Sequence, residues 1–156
     1  MTRRYLLLVL VTLFICGCSP APKNDIPHIS PQCLASQSEC VVSTAIGDFE
    51  ILFNKEKLLT EIPFTIYVNY RGDKKVSKLT GYLEGKEMYM GKVPVFFKLA
   101  TNEKYPEGHF QAETLLGSCS EDTMVWTFWI TATITNQASQ ESENQSFFIE
   151  FSSSRF

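Results

Sequence analysis

Two short segments contain every sulfur-bearing side chain in the last two-thirds of the chain. EGKEMYMGKVPVFF (84–97) holds a Met-x-Met pair, and LLGSCSEDTMVW (115–126) holds a cysteine followed five residues later by a methionine. Thioether and thiolate sulfurs are soft donors, which suit Cu(I) better than hard cations such as Mg²⁺ or Ca²⁺. Met-x-Met on an extended segment places both thioethers on one face, where both reach one ion. The predicted Cu(I) ligands are Met88, Met90, Cys119 and Met124.

A structural role for these sulfurs is the alternative interpretation. Methionine fills gaps in cores and packs on aromatic rings, and Trp126 is two residues from Met124. Zinc is disfavoured because no histidine or second cysteine is nearby to complete its usual ligand set. Nearby carboxylates at Glu87, Glu121 and Asp122 favour a cation. Three flanking aromatic residues are expected to limit solvent access: Tyr89, Trp126 and Trp129.

The chain from residue 40 onward has the pattern of β-strands. In 124–134 the even-numbered positions are apolar, while threonines and one tryptophan fill most of the others; IPFTIYVNY (62–70) alternates in the same way. Such alternation is typical of half-buried strands, and Gly, Asn, Asp and Pro separate the segments. The other predicted strands are 40–45, 48–54, 75–84, 93–100, 108–115 and 146–152. This pattern predicts an all-β fold, an immunoglobulin-like antiparallel β-sandwich of about seven or eight strands, with a small barrel as the alternative.

Strand order predicts that the two sulfur-containing segments meet. If successive strands run up and down, the loops 85–92 and 116–122 are separated by two strands and lie at the same end of the domain. His109, at the start of a descending strand, falls at the other end. We therefore expect the methionines and Cys119 to converge without a histidine.

The N-terminus has the features of an export signal. Arg3 and Arg4 precede a twelve-residue, mostly apolar run, which is too short to span a membrane. Ile15-Cys16-Gly17-Cys18 resembles a bacterial lipobox. This resemblance implies a signal peptide over 1–17, acylation of Cys18 and, because Ser19 follows, attachment to the outer membrane. Ordinary signal cleavage and a soluble periplasmic protein is the alternative.

The remaining chain suits a short tether and one domain. Four of the seven prolines lie in 19–32, a composition that favours extended chain. The predicted division is therefore a lipidated, Pro-rich tether over 18–32 and one sandwich over 33–156. Without the signal peptide, 12 basic and 17 acidic residues give a formal charge of −5. A charge of this sign excludes a basic nucleic-acid-binding surface.

Three cysteines remain for disulfide chemistry in an oxidising compartment: Cys33, Cys40 and Cys119. A bridge between Cys33 and Cys40 would pin the start of the first strand. Pairing of either with Cys119 is the alternative. The first pairing, which we favour, leaves Cys119 as a free thiol.

Two segments, MYMGKVPVFF (88–97) and AETLLGSCSEDTMVW (112–126), resemble those of small exported proteins encoded beside Sco/SenC-type copper chaperones. The general shape resembles FixH-like and YtkA-like immunoglobulin-type domains associated with cytochrome oxidase and copper handling. The resemblance covers roughly the latter half of the chain. It implies a periplasm-facing accessory protein whose partner is a copper chaperone or an oxidase-assembly protein.

The sequence gives less support to an enzyme or to a metal-free interaction module. Ser118-Cys119-Ser120 is similar to a nucleophile loop, but a thiol nucleophile needs a base, and the chain has only His28 in the tether and the distant His109. We therefore predict no enzymatic activity. A metal-free protein-interaction module of envelope assembly, offering edge strands or loops to a partner, is the alternative to copper binding.

Overall fold

The computed structural model describes residues 30–100, 109–118, 120–135 and 142–155. The predicted signal peptide, Cys18, most of the tether and Cys119 lie outside these described residues. The strands in chain order are β1 (Val41–Thr44), β2 (Gly47–Phe53), β3 (Leu58–Leu59), β4 (Phe64–Arg71), β5 (Val76–Gly85), β6 (Val93–Phe96), β7 (Lys98–Leu99), β8 (His109–Thr114), β9 (Thr123–Thr135) and β10 (Ser142–Ser154).

These strands form two five-stranded sheets packed around one apolar core. The first sheet has the order β1-β2-β4-β8-β7, and the second has the order β3-β10-β9-β5-β6. The predicted all-β sandwich is confirmed, and within the described residues eight strands have four or more residues. One detail differs from an all-antiparallel arrangement, because β3 pairs with β10 in parallel.

The predicted strand 93–100 is wrong in one respect, because it is two strands in different sheets. β6 pairs with β5 in the second sheet, whereas β7 pairs with β8 in the first. The chain crosses between the sheets at Phe97, which is half-buried and stacks on Phe128 with ring centroids 6.2 Å apart. Burial of that ring in the core holds the crossing in place.

Alternation along β9 positions the core of the second sheet. Trp126, Phe128 and Ile130 are fully buried, as the sequence predicts, and the Trp126 indole N–H donates to Ser153 Oγ at 2.9 Å. β9 pairs along its whole length with β10 and over most of its length with β5. The sheet is therefore built around this one long strand.

The segment before β1 joins the two sheets. Gln32 exchanges backbone hydrogen bonds with Phe53 of β2 at 2.9 and 2.8 Å, and Ser38 N donates to Glu150 O of β10 at 2.8 Å. Cys33 and Cys40 form a disulfide with Cα atoms 5.7 Å apart, which confirms the favoured pairing. The bridge encloses the part of the chain that passes from one sheet to the other.

Removing the disulfide with Cys33→Ser is expected to lower the free energy of unfolding by about 2–3 kcal/mol, because the bridge restricts a short loop in the unfolded chain. Urea denaturation measures the loss. The double variant Cys33→Ser/Cys40→Ser should lose the same amount, since both remove one bond. A comparable loss in Cys119→Ser, with none in Cys33→Ser, would contradict the pairing.

Candidate metal centre

Two loops meet at one end of the sandwich. The first, 86–92, follows β5, and the second, 115–122, connects β8 to β9. Lys86 N donates to Val125 O at 2.9 Å, which ties the start of the first loop to β9. The loops therefore share one end of the domain, as the alternating strand order predicts.

Met90 and Met124 converge at Gly85. A Cβ atom on Gly85 would lie 3.4 Å from Met90 Cγ and would overlap Met124 Cε. Gly85 is directly opposite Trp126 in the strand pairing, so its missing side chain leaves room beside the core. Met90 Cε also lies 3.7 Å from the position of a Cβ on Gly117 in the other loop. The two thioether side chains thus occupy one region bounded by two glycines.

The two methionines of this region differ in burial. Met124 is 5 % exposed, and Met90 is partly buried against the core. Of these two thioether side chains, that of Met124 is therefore fixed in the core, whereas that of Met90 is carried by a loop. Gly91, with a φ of 72°, supplies the left-handed backbone that follows Met90 and that glycine adopts without strain.

Met88 is placed differently from Met90. The chain bends over 86–88 instead of continuing as a strand, and Met88 is exposed whereas Met90 is partly buried. Met88 is 39 % exposed, and its backbone carbonyl packs against Gly85.

Cys119 lies outside the described residues. Its neighbours Ser118 and Ser120 are exposed in the second loop. In the described part of the chain, no three His, Cys, Asp or Glu side chains gather as a metal-binding group.

Glu61 anchors the second loop and was not singled out from the sequence. It has a φ of 62°, a conformation uncommon for a residue other than glycine. Its backbone N–H donates to Leu116 O at 2.8 Å, and its carboxylate accepts from Ser118 Oγ at 2.5 Å. These contacts hold the residues just before Cys119. No local sequence pattern reveals them, because the partners are more than 50 residues apart.

Carboxylates outnumber available cations in these loops. Glu87, Glu121 and Asp122 are exposed. Lys86 is engaged by Glu150 at 2.7 Å, and Lys92 lies over the Tyr82 ring at 4.1 Å. The resulting negative potential favours approach of a cation.

The expected aromatic shielding of the sulfurs is wrong for two of three residues. Tyr89 is 92 % exposed, and Trp129 lies on the outer face of the sheet, where its indole N–H donates to Glu84 Oε1 at 2.8 Å. Trp126 alone is buried beside Gly85 and Met124.

The histidine of the domain is at the far end. His109 begins β8, whereas the second loop follows the last residue of that strand, Thr114. His109 Nδ1 is 2.6 Å from Asn69 Oδ1 on β4. His109 therefore lies at the opposite end of β8 from the second loop.

Comparison of the chain with protein families, with curated proteins and with solved structures yields no match. Among the described residues no helix has the length and apolar character needed to cross a membrane.

Gly85→Ala is expected to lower the free energy of unfolding by about 1–3 kcal/mol, because the added methyl group overlaps Met124 Cε and the Met88 carbonyl. Gly117→Ala is the matched control, since its Cβ would make an ordinary contact with Met90 Cε. Thermal denaturation of both variants measures the difference. If Gly85→Ala and Gly117→Ala lowered the stability equally, the space beside Gly85 would not be closely filled.

Proposed function

We propose that the protein is an envelope lipoprotein that binds Cu(I) through its Met/Cys cluster. The observation that carries this proposal is the convergence of Met90 and Met124 at Gly85. Met90 comes from the loop after β5 and Met124 from the start of β9, and the two side chains meet in a region with several exposed carboxylates. Cys119, next to the Ser118 anchor, is the proposed thiolate donor.

The chemistry of the donors favours Cu(I) over other metals. Thioethers bind soft monovalent copper well and bind zinc, calcium or magnesium poorly. Met90 and Met124 supply two donors, and Cys119 supplies a third. Met88, on the exposed side of the same loop, is the proposed fourth donor and the one through which an arriving ion first meets the site.

The competing role for these methionines is packing. Met124 is almost fully buried beside Trp126, which is a common position for a methionine that fills a core. Met90 is harder to assign to packing alone, because it sits in a loop and is only partly buried. The two roles differ in a measurable way, since leucine replaces methionine in packing but not as a metal ligand.

The proposed cellular role is non-enzymatic and follows from the tether. Acylation of Cys18 would hold the domain at a membrane surface in the periplasm. Ser19, the residue after Cys18, favours the outer membrane. The resemblance of the sulfur segments points to a copper chaperone or an oxidase-assembly protein as the partner. The protein would then store copper for that partner or pass it on.

Met90→Leu and Met124→Leu are each expected to weaken Cu(I) binding at least tenfold, because each removes a donor while keeping a similar apolar volume. Cys119→Ser should have an effect at least as large, and Met88→Leu a smaller one. Titration of the reduced protein against a chromophoric Cu(I) chelator, without oxygen, measures the affinities.

Ser120→Ala is the control for these variants, since it alters the same loop without removing a soft donor. Its Cu(I) affinity should equal that of the unmodified protein. The unmodified protein could fail to compete with the chelator for Cu(I), or the leucine variants could bind Cu(I) as tightly as the unmodified protein. Either result would show that the methionines only pack.

Cys18→Ser is expected to abolish lipid attachment, because the thiol is the proposed acceptor of the acyl group. Cells labelled with an alkyne-bearing fatty acid report the modification after purification of the protein. Cys16→Ser is the matched control and should retain the label. A labelled Cys18→Ser variant would rule out this anchor.

A further inference from the structure

The outer face of the second sheet carries an apolar row that crosses four of its five strands. The strand register places Pro94 of β6 opposite Tyr82 of β5. Tyr82 is opposite Trp129 of β9, which in turn is opposite Phe148 of β10. The residues before and after Trp129 are buried in the core, so this aromatic row faces away from it. Because neighbouring strands are about 4.8 Å apart, the row is roughly 14 Å long.

The rings of the aromatic row contact one another. The centroids of Tyr82 and Trp129 are 6.4 Å apart with the ring planes 24° from parallel, and those of Trp129 and Phe148 are 4.8 Å apart. The hydrogen bond from the Trp129 indole to Glu84 fixes the orientation of that ring. Tyr82 and Trp129 are half-buried, and Phe148 is 48 % exposed. The row is therefore an ordered aromatic surface with one side in solvent.

Polar side chains flank the aromatic row on both sides. The strand register gives one row with two carboxylates and a hydroxyl group and another row with three hydroxyl groups: Glu84, Thr127 and Glu150, and Thr80, Thr131 and Ser146. The hydroxyl groups of Thr131 and Ser146 are 2.9 Å apart. On β6 the second of these rows ends in Phe96, which widens the apolar surface at that edge. Elsewhere the apolar strip is one side chain wide, about 7 Å.

The charges around the aromatic row are balanced. Lys86 Nζ is 2.7 Å from Glu150 Oε2, and Lys92 Nζ is 4.1 Å from the centroid of the Tyr82 ring. Two ammonium groups therefore accompany the two carboxylates of Glu84 and Glu150. Single-stranded nucleic acids also stack on aromatic rings, but they bind in positively charged grooves. The balance of charge at this surface favours an uncharged ligand.

The dimensions of the strip distinguish between kinds of uncharged ligand. A strip about 7 Å wide and 14 Å long has an area of roughly 100 Å². A stable protein interface takes about 800 Å² from each partner, so the strip is too small to be the apolar centre of one. It matches the width of a single sugar chain.

A chain of β-linked pyranose sugars also has the matching chemistry. When its hydroxyl groups are equatorial, the ring hydrogens form two apolar faces and the hydroxyl groups lie along the edges. The faces can pack on aromatic rings, whose large apolar surfaces suit such contacts. The edges can form hydrogen bonds with carboxylate, hydroxyl and ammonium groups, which are the groups that flank the aromatic row.

We propose that the aromatic row binds a β-linked polysaccharide, with sugar rings stacked on Trp129 and Phe148. Glu84 accepts hydrogen bonds from the hydroxyl groups along one edge of the sugar chain. Thr131 and Ser146 form hydrogen bonds with the other edge. This site does not depend on copper binding, because it uses none of the proposed sulfur donors, and its test uses metal-free protein.

The test titrates cellotetraose into isotope-labelled protein and follows the indole N–H signals by nuclear magnetic resonance. The Trp129 signal should shift until the site is saturated, while the signal of the buried Trp126 serves as the internal reference. Maltotetraose is the matched ligand control, since it contains the same sugar in α-linkages that curve the chain away from a straight strip. It should bind at least about fivefold more weakly, because fewer of its rings can stack at once.

Variants test the same contacts from the protein side. Phe148→Ala removes an exposed ring, so it should leave the fold intact by circular dichroism and weaken cellotetraose binding about tenfold. Trp129→Phe should weaken binding less than Trp129→Ala, because it keeps a ring. Tyr67→Ala is the matched control, since Tyr67 lies on the outer face of β4 in the other sheet, and it should bind as the unmodified protein does.

Chitotetraose distinguishes two sources of the polysaccharide, because its sugars carry N-acetyl groups and those of cellotetraose do not. Tighter binding of chitotetraose would assign the site to an amino-sugar polymer, and tighter binding of cellotetraose to a neutral glucan. Either preference supports a site for β-linked sugars.

Other results would overturn the proposal. Both β-linked tetrasaccharides could leave the Trp129 signal unchanged, or maltotetraose could bind as tightly as cellotetraose. Phe148→Ala and Tyr67→Ala could also bind cellotetraose equally well, which would show that the rings only stabilise the sheet. A Trp129 signal that shifts with protein concentration and not with sugar would assign the row to contact with a second copy of this chain.

Discussion

Burial of the inner face of β9 is the interaction on which the rest of the structure depends. Trp126, Phe128 and Ile130 are fully enclosed, and each such side chain contributes about 1.5–3 kcal/mol relative to exposure. β9 also pairs with both of its neighbours over most of its length, so its position sets the register of β5 and β10. The loop carrying Met90 begins where β5 ends against β9.

The region proposed to bind copper lies where the core ends beside Gly85. Gly85 lies opposite Trp126, and the space left by its missing side chain is filled by Met124 from inside and approached by Met90 from the loop. A larger residue at that position would separate the two thioether side chains. The core and the proposed copper site therefore share one packing constraint, which is why a substitution at Gly85 should affect both.

The crossing of the chain at Phe97 has a second consequence. By leaving one sheet for the other, the chain pairs with β5 in the second sheet as β6 and with β8 in the first sheet as β7. The same crossing places the Phe97 ring against Phe128.

Much of this architecture is determined by local sequence. Alternation of apolar and polar residues is a property of a few neighbouring residues, so it predicts most of the long strands and the inward face of β9 correctly. The short separation of Cys33 and Cys40 likewise favours the disulfide that is found. The common end of the two sulfur-containing loops follows from strand order, because alternating strands return every second loop to the same side.

Other features were decided only by tertiary structure, because they depend on contacts between residues far apart in the chain. The division of 93–100 into two strands follows from burial of Phe97, and the parallel pairing of β3 follows from the position of β10. The difference between Met88 and Met90 arises from the bend at 86–88. The positive φ of Glu61 is supported by Leu116 and Ser118. Residue type and spacing thus determined which side chains were available for chemistry, while long-range packing determined which of them meet.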